Sequence, residues 1–445
     1  MKKKSLRFLS MALSAVTAFT VAGAAAPVTV RAAAEPVAIN ATNFPGEGFR
    51  TAISTAVDTD KNGSLSADEI AAVTSLNIYN YYYYYDDATA PEVSADLYEG
   101  GYLSISGADD ITGFEYLTSI DSIYMNNVSN ASLDFTSLKD LGYLYIENCY
   151  SLASIDVSNL NKLKELTIYY TSLKSLDVTT NKNIEAVRCS GNYEFSSFKA
   201  GENNKKLSGV YVYGPNLKSL NLSKLKALTG VAISDCSLNL NKIGIKNKSK
   251  IKELCINYNR NSGFNPTEYP NLQILEYSGN GASKLDLSKN TKLIRLQVND
   301  NKLRSLDLSN NTKLDFINAS YNSLDKLDVT KCKKLSYINI SSNDISKMDL
   351  SKNKNLYTFM AYDNSFKELD FSKNKGIGYI EIGKNTKITL PKDKYSCSYY
   401  DYSKEKYVAK NIKGNTFQPG KVFETYSYYY FEGNSHYISA YFYEY

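Results

Sequence analysis

Tryptophan is absent from this 445-residue chain, histidine occurs once, at His436, and proline only nine times. A single histidine excludes zinc sites built on paired histidines and any catalytic scheme that needs two. No stretch beyond residue 34 is long and apolar enough to cross a bilayer. Charge of one sign is lacking too, although the formal net charge is +5. That excess lies in residues 1–34, which hold five basic residues and no acid; the remainder sets 46 acidic residues against as many basic ones. A neutral remainder leaves no footprint for nucleic acid or an anionic membrane, so neither is expected as a partner. The six cysteines are scattered singly, not spaced as a disulfide framework.

The segment 1–34 has its own logic. Lys2, Lys3, Lys4 and Arg7 precede a run from Phe8 to Ala26 that is almost entirely apolar or small. Small-residue cleavage sites follow at AGAAA and VRAAA, which makes 1–34 a secretory signal peptide. The mature chain is then expected to be secreted or extracellular, at the cell surface or free of it.

What remains is a repeat. LIRLQVNDNKLRSLDLSNNTK, Leu293 to Lys313, matches LDFINASYNSLDKLDVTKCKK and then LSYINISSNDISKMDLSKNKN at a shift of 21 residues. The pattern L-x-x-L-x-L-x-x-N-x-L is the leucine-rich-repeat signature. Its first apolar position recurs thirteen times, from Ile120 through Leu141, Leu163 and Ile184 to Leu356 and Ile377. In the L-x-L part, alternate residues point to opposite faces of a short strand, so the leucines share a core and the x residues line an open sheet. No coil buries its apolar face alone; each must stack on the next. The asparagine slot, Asn259, Asn280, Asn301, Asn322, Asn343, Asn364 and Asn385, closes the turn and can satisfy backbone groups of adjacent coils. The second half of each unit, as in SLDLS, alternates with period two and predicts an extended outer segment instead of a helix. The expected architecture is an α/β-type solenoid of mostly short parallel strands with little helix, spanning 73–391 and interrupted by a tyrosine-rich insertion at 79–102.

The cysteines fall into this scheme. Cys149 and Cys236 occupy the asparagine slot and Cys189 an inward position, so these three should be buried free thiols. Cys255 falls on an outward position, Cys332 in a connecting segment and Cys397 in the tail. The aspartates Asp286, Asp307, Asp328, Asp349 and Asp370 form a ladder, expected to be solvated or paired with lysines.

Ahead of the repeat stands DTDKNGSLSADE, Asp58 to Glu69, which satisfies D-x-[DN]-x-[DN]-G-x5-E in full. A calcium ion needs six to eight oxygens. Asp58, Asp60 and Asn62 offer side chains, Ser64 a backbone carbonyl, Ser66 a direct or water-mediated contact and Glu69 two carboxylate oxygens, while Gly63 makes the bend. Helix-like apolar spacing on both sides completes an EF-hand over 35–72. The expected cofactor is one structural Ca2+. Such loops usually work in pairs, and this one is alone. Its place just before the first strand suggests a cap over the exposed edge of the first coil.

These motifs resemble the exported leucine-rich-repeat proteins of Gram-positive bacteria, a group that includes the internalins, over roughly residues 43–391. The resemblance implies a non-catalytic binding protein that holds another protein on its open sheet, with a small helical N-terminal cap. The unit here is 21 residues where internalins usually have 22, and no L-P-x-T-G stretch precedes Tyr445.

Tyrosine, at 39 residues, supplies the aromatic surface. The repeat maps Tyr124, Tyr143, Tyr145, Tyr169, Tyr170, Tyr211 and Tyr213 to the open face of the first five matched repeats. Tyrosine pairs a large ring with a hydroxyl and little rotamer entropy, which suits recognition of a protein ligand; cross-strand packing among exposed rings is the competing account. A glycan-binding or cell-envelope role, with rings stacking on sugars, is the alternative, weakened by the lack of tryptophan. No nucleophile–base or metal-hydrolase motif is visible, so no enzyme is expected. Beyond Lys392 the register is lost; tyrosine-rich alternating strands at 392–445 either cap the stack or start a small β-domain.

Overall fold

In the computed structural model, residues 35–80, 93–236, 238, 243–259, 262–393, 396–401, 406–410, 414–422, 428–432 and 437–443 are described. The expected leader at 1–34, residues 81–92 of the insertion and His436 lie outside them.

The L-x-L segments do form short strands. From Ser122–Asn126 to Tyr379–Gly383 they pair parallel in register, each with the strand one coil away. The leading apolar side chains are buried in every coil: Ile120, Leu141, Ile184, Leu293 and Ile377 are all 0% exposed. Each such chain contributes about 1.5–3 kcal/mol by leaving water, but only when the neighbouring coil is present to cover it. Among the described residues the outer side of the repeats carries no α-helix, and its parallel ladders are three residues long, as in Ser132–Asp134 against Ser154–Asp156. The fold is a leucine-rich-repeat solenoid.

Asparagine holds the coils together in two ladders, of which the sequence motif names one. In the motif slot, Asn343 donates its Nδ2 to Ala319 O and Ile340 O, both at 3.0 Å, while its Oδ1 accepts from Leu324 N at 2.9 Å. The opposite turn carries a second file: Asn181, Asn204, Asn290, Asn311, Asn353 and Asn374, all essentially inaccessible. There Asn353 donates to Val329 O and Cys332 O at 3.1 and 2.9 Å. Cys332 stands in this second file, its Sγ facing Leu308 O and Asn311 O, so its segment is a core position and not a plain connection. Cys255, expected outward, is 6% exposed because its neighbours on the face cover it. All six thiols are free and buried.

The aspartate ladder is exposed to solvent, as expected, and each member also closes its own turn. The Oδ1 atoms of Asp286, Asp307, Asp328, Asp349 and Asp370 accept the N–H two residues on, at 2.7–2.9 Å. Short polar side chains of this kind close turns locally.

Both ends of the sheet depart from simple repetition. Strand β1 (Val37–Ala38), helix α1 (Glu47–Ala56), strand β2 (Ser64–Leu65) and helix α2 (Ala67–Ala72) precede the first sheet strand, β3 (Ser75–Tyr79). Within and just beyond the insertion, β4 (Ser94–Tyr98) and β5 (Tyr102–Ser106) form an antiparallel hairpin. Strand β5 lies parallel to β3 on one flank, and β6 (Ser122–Asn126) lies parallel to β3 on the other, so the order is β4-β5-β3-β6. At the far end Tyr437–Tyr443 pairs parallel with Tyr379–Gly383, and Tyr428–Glu432, Ser396–Asp401 and Lys406–Lys410 follow antiparallel. These strands therefore continue the sheet instead of forming a detached unit.

The N-terminal unit plugs the first coil. Phe44, Phe49, Ile53, Val57 and Leu65 join one core with Leu76, Ile78, Leu103 and Ile105. The contact is close enough to demand glycine. A Cβ at Gly46 would sit 2.1 Å from Asp110 O, and Gly113, at φ +106°, leaves room for the Phe44 ring.

Candidate functional site

Two features stand out, the loop at 58–69 and the open face of the sheet. In the loop, Gly63 has φ +81°, a left-handed conformation that glycine adopts freely. This turns the chain so that Asp58 Oδ2 accepts Gly63 N at 3.0 Å and Asn62 Oδ1 accepts Ser64 N at 2.8 Å. Asp58, Asp60 and Glu69 each bring a carboxylate oxygen, all within 4.8 Å of one another. Oxygens at about 2.4 Å on opposite sides of a calcium ion stand at about that separation, so the donor set fits a hard cation. Residues Asp58, Asp60, Asn62, Ser64 and Glu69 would hold it.

Ser66, the expected direct or water-mediated ligand, has a structural role as well. It is the N-cap of α2, donating its backbone N–H and its Oγ to Glu69 Oε2 at 2.9 Å each, while Glu69 N donates back to Ser66 Oγ. Thr59 donates N–H and Oγ1 to Glu69 Oε1 at 2.6 and 2.9 Å. Burial alone would raise the Glu69 carboxyl, but these bonds outweigh it and bring it down to about 2.

The loop also has a backbone partner. Strand β1 pairs antiparallel with β2, Val37 opposite Leu65, and Ile39 N donates to Gly63 O at 2.9 Å. The chain's own N-terminal segment thus supplies the pairing that a second loop would otherwise give. No sequence signal marked Val37 and Ala38 for this.

On the open face, the register sets side chains in columns one coil apart. Tyr124 and Tyr145 stack at 5.2 Å between centroids, and Tyr169 meets Tyr145 edge-on at 5.8 Å. Tyr124 and Tyr145 both donate their hydroxyls to Glu147, at 2.6 and 2.8 Å. Burial and the Glu147 charge hold the Tyr145 proton well above the usual phenol range. Tyr211 lies flat over Gly209 and Gly230, where any Cβ would strike its ring, and donates to Glu253 Oε2 at 3.2 Å under the Arg188 guanidinium. Tyr143 is exposed beside Lys164. Tyr170 and Tyr213 sit at the strand ends, Tyr170 in a left-handed conformation with its ring over Gly191. Tyr124, Tyr145 and Tyr169 are thus joined ring to ring, while Tyr211 is held separately by Glu253 and Arg188 on the same face.

Sequence reading missed the middle of this face. Glu276 pairs with Arg295 at 3.2 Å, and Arg295 lies 3.8 Å over the Phe316 ring, which stacks on Tyr337 at 4.3 Å. Burial raises the neighbouring Glu253 carboxyl, and Glu276 adds to the rise. These residues occupy the same x positions as the tyrosines, so the register carried the signal; attention to tyrosine alone hid it.

Comparison with known proteins agrees on the fold. No protein-family model and no curated protein matches the sequence. Among solved structures, the functional domain of InlJ from Listeria monocytogenes, described as including a cysteine ladder, is 17% identical. The match covers 92% of this chain and 99% of that one, with a TM-score of 0.50. An internalin, InlF, from the same species is 15% identical over 80% of this chain and 93% of its own, with a TM-score of 0.52. Internalins and other leucine-rich-repeat proteins are thus its structural neighbours.

Proposed function

We propose that the chain is an exported, non-catalytic leucine-rich-repeat protein that holds a protein partner on the open face of its sheet. One calcium ion in the loop 58–69 would staple its N-terminal cap. The observation that carries the reading is the tyrosine surface: Tyr124, Tyr145 and Tyr169 are fixed by one another and by Glu147, and Tyr211 by Glu253. Rings already held in place lose little further freedom when a partner covers them, which favours recognition. The internalin neighbours and the absence of a hydrolase motif fit a scaffold that acts by contact.

The test is a photocrosslinking capture with the full chain against cell-surface extracts, beside the variant Tyr124→Ala/Tyr145→Ala/Tyr169→Ala/Tyr211→Ala. A protein retained by the wild type and lost by the variant supports the reading. Capture that survives the four substitutions, or a glycan array that responds where proteins do not, refutes it.

A further inference from the structure

The near-zero net charge of the chain beyond residue 34 conceals a segregation. Each coil turns from its outer segment back into the sheet along one rim, where the parallel strands begin. From Ser288 to Gly376 the five turns read SKNTK, SNNTK, TKCKK, SKNKN and SKNKG: ten lysines, no acid and no aromatic residue. All ten are exposed. Among the described residues none of them pairs with a carboxylate, whereas rim lysines of earlier coils do: Lys162 with Asp140 at 2.8 Å, Lys224 with Glu202, Lys248 with Glu268. The aspartate ladder two residues ahead of each turn directs its Oδ1 atoms to its own backbone N–H groups, and Lys289, Lys331 and Lys352 act on Asp286, Asp328 and Asp349 only at longer range.

The row ends in a cavity. At the same rim, just ahead of the first of these turns, a hollow of about 260 Å³ is lined by Lys250, Lys252 and Lys292 together with Thr229, Asn271 and Gln273. Lys250 Nζ donates to Lys226 O at 3.1 Å and Lys292 Nζ to Asn271 Oδ1 at 2.7 Å, so each ammonium keeps further N–H groups for an anion at this rim, beside Lys252. Beyond it each coil's turn adds one to three lysines, the coils following one another at the strand spacing of about 4.8 Å.

From the cavity and the row together we infer that this rim is a binding surface for a linear, phosphate-bearing polymer, one group seated among Lys250, Lys252 and Lys292 and the rest tracking the lysines toward Lys375. The geometry is one-dimensional, which matches a flexible chain better than a flat bilayer. The lack of rings among the lysines removes the stacking that single-stranded nucleic acid binding uses.

The probe is fluorescent long-chain inorganic polyphosphate, titrated into the full chain and read by anisotropy. With about five lysines engaged at roughly 0.7 released ions each, affinity should fall about a hundredfold between 50 and 200 mM salt. Lys331→Gln/Lys333→Gln/Lys352→Gln/Lys354→Gln should weaken binding at least tenfold and flatten the salt slope. Lys252→Gln/Lys292→Gln serves as a second variant at the cavity, and circular dichroism verifies that both fold. Tyr124→Ala/Tyr145→Ala on the sheet face should bind polyphosphate as the wild type does, which separates this surface from the protein-binding one. Four outcomes would overturn the inference: no binding at 50 mM salt, binding unchanged in both lysine variants, stronger retention on phosphatidylglycerol vesicles, or tighter binding of a single-stranded oligonucleotide of matched charge.

Discussion

Asn343 and Asn353 belong to the same coil, one in each asparagine ladder, and truncating them separately isolates what an inward amide contributes. Asn343 is 8% exposed and Asn353 0%, so burial alone ranks Asn353→Ala as the more damaging change. Hydrogen bonding ranks them the other way. Asn343 Oδ1 accepts the Leu324 N–H, and alanine would strand that donor inside the coil. A buried orphan costs about 1–3 kcal/mol, and the lost Nδ2 bonds bring the expected total to about 3 kcal/mol. Asn353 Oδ1 has no hydrogen-bond partner, so alanine removes an unsatisfied oxygen. Its two acceptors, Val329 O and Cys332 O, keep the backbone donors Cys332 N and Leu335 N. The expected loss there is about 1 kcal/mol.

Urea denaturation of the two variants gives the difference of about 2 kcal/mol, or roughly thirtyfold in the unfolding constant. Native-state hydrogen exchange adds a local reading: the Leu324 amide should lose protection in Asn343→Ala and keep it in Asn353→Ala. Equal losses, or a larger loss for Asn353→Ala, would refute the satisfaction argument and leave burial as the governing term. Cys332 already shows that the second file tolerates a poor hydrogen-bonding side chain.

Adding 10 mM calcium should raise the melting temperature, by the equivalent of about 1–3 kcal/mol if the loop binds at roughly 10⁻⁴–10⁻³ M, and Asp58→Ala should abolish the rise. Gly279→Ala should destabilise by roughly 1–3 kcal/mol, because φ is +66° and a Cβ would lie 2.0 Å from the Tyr258 ring; a melt that does not move would show the rim adapts freely. Burial pushes Cys236 and Cys332 up to about 11 and Cys189 and Cys397 up to about 12. At pH 8 a thiol reagent should therefore label almost none of the six cysteines in the native chain and all of them in denaturant. Thiols that hold their protons longer when folded also predict stability falling as pH climbs past 9, the ordinary thiol value, toward 11–12.

The leucine spine was readable because a 21-residue period leaves no other place for the apolar positions. The second asparagine file was equally periodic, yet its residues sit in turns rich in lysine, serine and threonine, where asparagine normally signals a loop. Only the closed coil reveals that Asn290, Asn311 and Asn374 point inward. Strand order at the N-terminal edge was beyond sequence reasoning for a different reason: β5 and β6 both carry the alternation that suits a neighbour of β3, and nothing local says which side each takes. Cys255 does sit at an outward position, but Glu276 beside it in the column and Glu253 two residues back on its own strand cover it.

The loop at 58–69 shows how local chemistry and the global need for a cap meet. Asp58 follows α1 after Val57, its N–H bonded to Ile53 O, and Gly46, the N-cap of α1, lies against Asp110 of the early coils. Glu69 lies on α2, which runs through buried Val73 into β3, the strand between two flanks of the sheet. An ion held by Asp58, Asp60 and Glu69 would therefore tie α1, which packs against β4 and β5, to α2, which leads into β3. Thr59 and Ser66 keep the Glu69 carboxylate charged and in place beforehand, so binding would need neither a proton release nor a rotamer search. Strand β1 supplies backbone pairing to the loop and the solenoid supplies an apolar wall, so a single loop would have the support that a partner loop usually gives. A stacked array with an unsealed end would fray from it, and this end is sealed by a plug of phenylalanines with a charged latch.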